Sequence, residues 1–187
     1  MAVPSIVGQE GIVRKTQFPR LVIPTAVVLT AFFNLLLNLV IVFVFILAFG
    51  ITPTWTWLLL PVILAIMFVI TLAVAMIVSS LYPRFRDLGI IWSVFTTALF
   101  YATPILYPLE IAVSRSHTLG QIIALNPFTP ILELARVWVI DPHAPYPGTA
   151  AGGGSGHLVF AVAVIVGVCL LAVWVFGREA PRIAEEL

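Results

Sequence analysis

Charge is scarce in this chain. Of its 187 residues only 9% are Asp, Glu, Lys or Arg, while 61% are apolar, whereas a soluble domain carries about 25% charged residues. So few charges cannot keep a folded surface in water, which leaves a lipid bilayer as the solvent. Net charge is +1, and the nine basic residues are scattered singly or in twos and threes, which excludes the basic stripe of a nucleic-acid binder. The one cysteine, Cys169, sits in an apolar run. It offers neither a disulfide framework nor a zinc spacing and reads as a structural thiol. His117, His143 and His157 share no ligand-like spacing, so no metal site is expected. A GxxxxGK[ST] phosphate loop is missing as well, so no cofactor is expected on this chain. Residues 1–20 hold no apolar core of signal-peptide length, so insertion is expected to rest on internal spans.

What the chain has instead is length in its apolar runs. Crossing about 30 Å of hydrocarbon takes about 20 apolar residues in a helix. Residues 22–50, 55–81, 88–107 and 158–177 each meet that need without one Asp, Glu, Lys, Arg or His. The runs are continuous rather than alternating, which favours helices over barrel strands. The expected fold is an all-α membrane protein with four transmembrane helices, a cytoplasmic helix over residues 4–20 and external re-entrant half-helices. Residues 1–187 form one domain in this reading, with a Pro- and Gly-rich loop at 142–157 and a cytoplasmic tail at 178–187.

Orientation follows from the basic residues. Arg14, Lys15 and Arg20 precede the first run, Arg84 and Arg86 separate the second from the third, and Arg178 and Arg182 follow the fourth. Four crossings put these seven on one side, with Arg115 and Arg136 on the other. Both termini are therefore expected in the cytoplasm. The segment 108–141 is then external. Its apolar pieces, 119–125 and 131–140, are too short to cross and are divided by Asn126-Pro127-Phe128-Thr129-Pro130, which suits re-entrant half-helices.

Within the runs, sparse polarity is patterned. Thr30, Asn34 and Asn38 recur every four residues on one helical face. They serve either as interhelical glue or as a polar strip along a translocation path. Trp92, Thr96, Phe100 and Tyr101 add an aromatic and hydroxyl-bearing stripe suited to stacking on sugars, or again to packing. The absence of ionisable groups from the runs argues against a proton-coupled carrier and points to energy supplied by a partner. Ile12, Val13 and Phe18 alternate with Arg14, Lys15 and Arg20 as in an interfacial helix, either a bare anchor or a docking element. Glu110 and Glu133 pair as a possible acid couple or mark an interface.

Taken together, the Glu10-Gly11-Ile12-Val13-Arg14-Lys15 run, Phe18-Pro19-Arg20, Arg84-Phe85-Arg86-Asp87, the stretch Phe100-Tyr101-Ala102-Thr103-Pro104-Ile105-Leu106-Tyr107-Pro108, Asn126-Pro127 and the terminal Ala184-Glu185-Glu186-Leu187 resemble the ABC-2 type permeases that export bacterial surface polysaccharides such as O-antigen, teichoic acid and galactan. The resemblance implies a permease of the plasma (inner) membrane, paired as a homodimer. It would move a lipid-linked glycan, driven by a separate ABC ATPase that binds ATP and Mg. It implies coupling to that ATPase through Glu10, Arg14, Lys15, Phe18 and Arg20, and an external gate at Tyr107, Glu110, Asn126 and Pro127. Family members carry further spans ahead of the coupling segment, so an N-terminally truncated form is expected. The competing readings are a non-transporting membrane scaffold that holds a partner protein and an intramembrane enzyme.

Overall fold

A computed structural model describes residues 21–82, 85, 87–146 and 156–186, the last eight by backbone alone. The described residues are helical, without a strand. Helix α1, Val22–Ala48, begins with Pro24 in its first turn, where the missing N–H is no loss. It ends abruptly. Gly50 takes φ +81°, its amide bonds Leu47 O at 3.0 Å and that of Ile51 bonds Ile46 O at 3.3 Å. This left-handed glycine closes the last carbonyls of the helix on themselves. A 3-10 turn over Trp55–Leu59 leads into α2, Leu60–Leu81. Helix α3 is Leu88–Ala102, and three short helices follow: α4 Leu109–Arg115, α5 His117–Ala124 and α6 Phe128–Val139. Helix α7 runs Gly156–Glu186.

Three stretches, Val22–Ala48, Trp55–Leu81 and Gly156–Arg178, are long and apolar enough to cross a membrane. The third expected span is shorter than its apolar run. Helix α3 stops five residues before Tyr107, after 15 residues. Hydropathy continues, but Pro104 supplies no N–H and pushes Thr103 out of the helical region. The Thr103 hydroxyl takes over by donating to Leu99 O at 2.7 Å. At the other end, the helix that follows the second loop does not stop at residue 177 but carries its backbone on to Glu186.

The chain divides into two compact units, one of residues 1–42, 66–94 and 167–187, the other of 43–65 and 95–166. In the first, Phe32 meets Phe68 edge-on at 5.2 Å, and α2 buries small residues, Ala73, Ala75, Ser79 and Ser80, the kind that let membrane helices approach closely. Arg178 lies 5.4 Å over the Trp174 ring. In the second, Phe43 packs on Trp57 at 4.9 Å, and Leu109, Ala124, Thr129, Ile131, Val137 and Val139 are buried. Most large apolar side chains of α1 face outward, which costs nothing where lipid replaces water.

Candidate functional site

The polar chemistry of the second unit gathers in α4, α5 and α6. The first amides of any helix lack intrahelical acceptors. In α4 one of them, the Leu109 N–H, donates to Glu133 Oε1 of α6 at 3.2 Å, so a carboxylate from another helix caps this one. Leu109 is fully buried and Glu133 is 2% exposed. One turn further along α6, Arg136 Nη1 donates to Glu110 Oε1 at 3.2 Å and Oε2 at 3.0 Å, and to Glu133 Oε2 at 3.3 Å. A single nitrogen thus serves two carboxylates. Burial pushes the Glu133 carboxyl above the usual carboxylate range, against the opposing pull of the Leu109 amide and the Arg136 charge. The guanidinium between Glu110 and Glu133 makes them a bridging set rather than a free acid couple.

The bend between α5 and α6 is built separately. Their axes turn by 94° over Leu125, Asn126 and Pro127. Pro127, at φ −62° and ψ −20°, has no N–H to continue α5. Asn126 supplies the missing bonds. Its Oδ1 accepts the Phe128 N–H at 3.0 Å, and its Nδ2 donates to Thr103 Oγ1 at 2.8 Å. Thr129 Oγ1 donates to Ile123 O at 2.7 Å. The end of α6 is fastened in turn, where Thr56 Oγ1 donates to Trp138 O at 2.6 Å. The three short helices are therefore tied to the C-terminal end of α3 and to the 3-10 turn that starts α2. Between α4 and α5 the helices approach closely at Gly120, where a Cβ would collide with Val113.

The structure separates the sequence candidates. Glu110 joins the Arg136 cluster, while Asn126 and Pro127 form the bend. Tyr107 stands apart from both, its hydroxyl 3.4 Å from Tyr101 O. Thr30, Asn34 and Asn38 are exposed on α1. Thr30 donates to Ala26 O at 2.9 Å and Asn38 to Asn34 O at 2.8 Å, so both bond their own helix rather than a neighbour. Trp92 belongs to the first unit, and Thr96, Phe100 and Tyr101 to the second. Tyr101 is 67% exposed and its ring meets that of Phe100 edge-on at 5.4 Å. Glu10, Arg14, Lys15, Phe18 and Arg20 lie outside the described residues, as do Arg84, Arg86 and residues 147–155. Among the described residues no three His, Cys, Asp or Glu form a metal-holding group. Reading the sequence missed Thr56, Thr103, Gly120 and Arg136. Only Arg136 left a signal, as a base three residues after an acid in an apolar helix.

Comparison with known proteins adds the family. The family profile described as ABC-2 type transporter matches residues 1–139. The O-antigen export system permease protein RfbA of Myxococcus xanthus is 37% identical over 128 residues, 68% of this chain and 49% of that protein. Two proteins of the same name from Klebsiella pneumoniae are 32% and 30% identical over 129 residues, again 68% of this chain and 49% of theirs. The chain thus spans about half the length of the relatives it matches. With its apolar helices and a match over most of its length, this multi-pass membrane protein belongs to the ABC-2 type transporter family.

Proposed function

We propose that this chain is the membrane-spanning permease subunit of an ATP-driven exporter that moves a lipid-linked cell-surface polysaccharide across the bacterial plasma membrane. One observation carries the reading: in a chain of the ABC-2 family, α1, α2 and α3 contain no Asp, Glu, Lys, Arg or His. A proton relay or a charge-selective pore needs such groups. A long hydroxylated polymer needs weak, repeated contacts instead, and the relatives are named for O-antigen export. In this reading ATP and Mg sit on a separate ATPase subunit, and two permeases pair around the path. Thr30, Asn34, Asn38, Trp92, Thr96, Phe100 and Tyr101 line that path, and α4 to α6 form the external re-entrant segment. Removing the protein from cells that make the polysaccharide should abolish surface glycan and leave lipid-linked glycan inside. Undiminished surface glycan would sink the proposal, and co-purification of the ATPase under that outcome would favour the scaffold.

Two further results are expected. In the four-crossing reading the seven-to-two split of basic residues favours α4 outside. Ser114 is exposed on α4, so Ser114→Cys in a Cys169→Ala background should react with an impermeant thiol reagent on intact cells. Reaction only after lysis reverses the orientation. For coupling, reversing Arg14 and Lys15 to Glu should lower the amount of ATPase co-purified per inserted permease and separate hydrolysis from export. An anchoring role predicts instead that membrane level falls while ATPase per inserted molecule stays constant.

A further inference from the structure

Helix α4 is fastened to α6 at two places that differ in kind. The inner one, Leu109 N–H to Glu133 Oε1, is buried at both ends. In the outer one, between Arg136 and Glu110, the two side chains remain 30% and 33% exposed. Breaking the inner attachment leaves an orphaned amide beside a buried carboxylate, which is costly. Breaking the outer one leaves neither partner stranded. Arg136 Nη1 already touches Glu133 Oε2 at 3.3 Å, so the guanidinium keeps a carboxylate when Glu110 departs, and Glu110 can turn to water. The cluster also holds two acids to one base, so one guanidinium charge is shared between two carboxyl groups.

We propose that Glu110 and Arg136 form a releasable latch between α4 and α6, with the Leu109 amide on Glu133 as the attachment that stays closed. Opening the latch swings Glu110 and the rest of α4 from α6 about its own first residue. Helix α5 follows at its N-terminal half, where Gly120 packs on α4, and stays tied to α6 at Ile123, whose carbonyl accepts from Thr129. Helix α6 stays, held by Thr56 at its C-terminal end and, through Asn126 at the bend, by Thr103. The inference concerns motion and needs no transported substrate, so it stands apart from the export reading.

Hydrogen exchange on the whole chain in lipid nanodiscs, read by mass spectrometry over α4 and α6, tests it. An exposed ion pair is screened at 1 M salt, where the Debye length is about 3 Å. Moving from low salt to 1 M NaCl should therefore speed exchange in α4 about two- to fivefold, the factor such a pair is worth, and leave α6 unchanged. Glu110→Gln should exchange at the fast rate already at low salt and lose the salt response. Glu133→Gln keeps an oxygen for the Leu109 amide and should keep the response. Salt-independent exchange of α4 in the unaltered protein overturns the latch, and that measurement decides even if Glu110→Gln does not fold. Equal loosening of α4 and α6 overturns it too, since the pair would then brace the whole segment. So does loss of the response in Glu133→Gln, because the two acids would then act as one.

Discussion

Gly120→Ala should destabilise the protein by about 1–3 kcal/mol, the usual cost of forcing extra volume into a packed site. A Cβ at Gly120 would overlap Val113 Cγ2 and lie 3.0 Å from Val113 Cα and 3.2 Å from its Cβ. The first overlap can be relieved by rotating a side chain. The contact with Cα cannot, because only separation of α4 from α5 relieves it. Thermal unfolding in detergent, followed by tryptophan fluorescence, measures the loss. Val113→Ala in the same chain removes the Cγ2 overlap but not the backbone contact, so it should restore part of the stability and no more. An unchanged unfolding midpoint for Gly120→Ala would mean that the two helices are not packed this closely.

Arg136→Leu should cost about 3 kcal/mol, the low end of the range for removing one partner of a buried pair. The low end applies because Arg136 remains 30% exposed. The damage arises from what is left behind: Glu133, almost wholly buried, beside Glu110 with no cation between them. Arg136→Lys provides the contrast. Among the described residues, the Arg136 hydrogen bonds run through the one nitrogen Nη1, so an ammonium can replace much of the interaction without the guanidinium fork. Its cost should stay below about 1 kcal/mol, near that of weakening an exposed pair. Equal losses for Leu and Lys would show that the shape of the guanidinium, and not its charge, holds the cluster.

The long helices were legible because one quantity, apolar length, decides them. Residues 22–50 and 55–81 became Val22–Ala48 and Trp55–Leu81 with little change. Where a second rule competes, length alone misleads. The third apolar run continues to Tyr107, yet it contains the legible Thr103-Pro104 break, and Pro104 ends α3 at Ala102. In residues 119–140 Pro130 reads as a break, which puts the second half-helix at 131–140. It begins at Phe128, because proline is accommodated in a first turn. Helix α4 gives no hydropathy signal of its own, since Glu110, Ser114 and Arg115 give it the composition of a loop. The site divides in the same way. Asn126 and Pro127 announce a bend by their local chemistry. The partnerships of Asn126 with Thr103 and of Arg136 with Glu110 span 23 and 26 residues, and nothing in one sequence specifies which distant polar groups will meet.

The 15 residues of α3 set it against α1. At 1.5 Å per residue it measures about 22 Å, while the 27 residues of α1 measure about 40 Å. No single hydrocarbon thickness matches both. In the four-crossing topology proposed above, a bilayer of about 30 Å makes the longer helix tilt and thins around the shorter one, at fractions of a kcal/mol for each ångström of mismatch. Longer acyl chains relieve the first helix and burden the second; shorter chains do the reverse. The chain thus carries a built-in sensitivity to the thickness of the membrane that holds it.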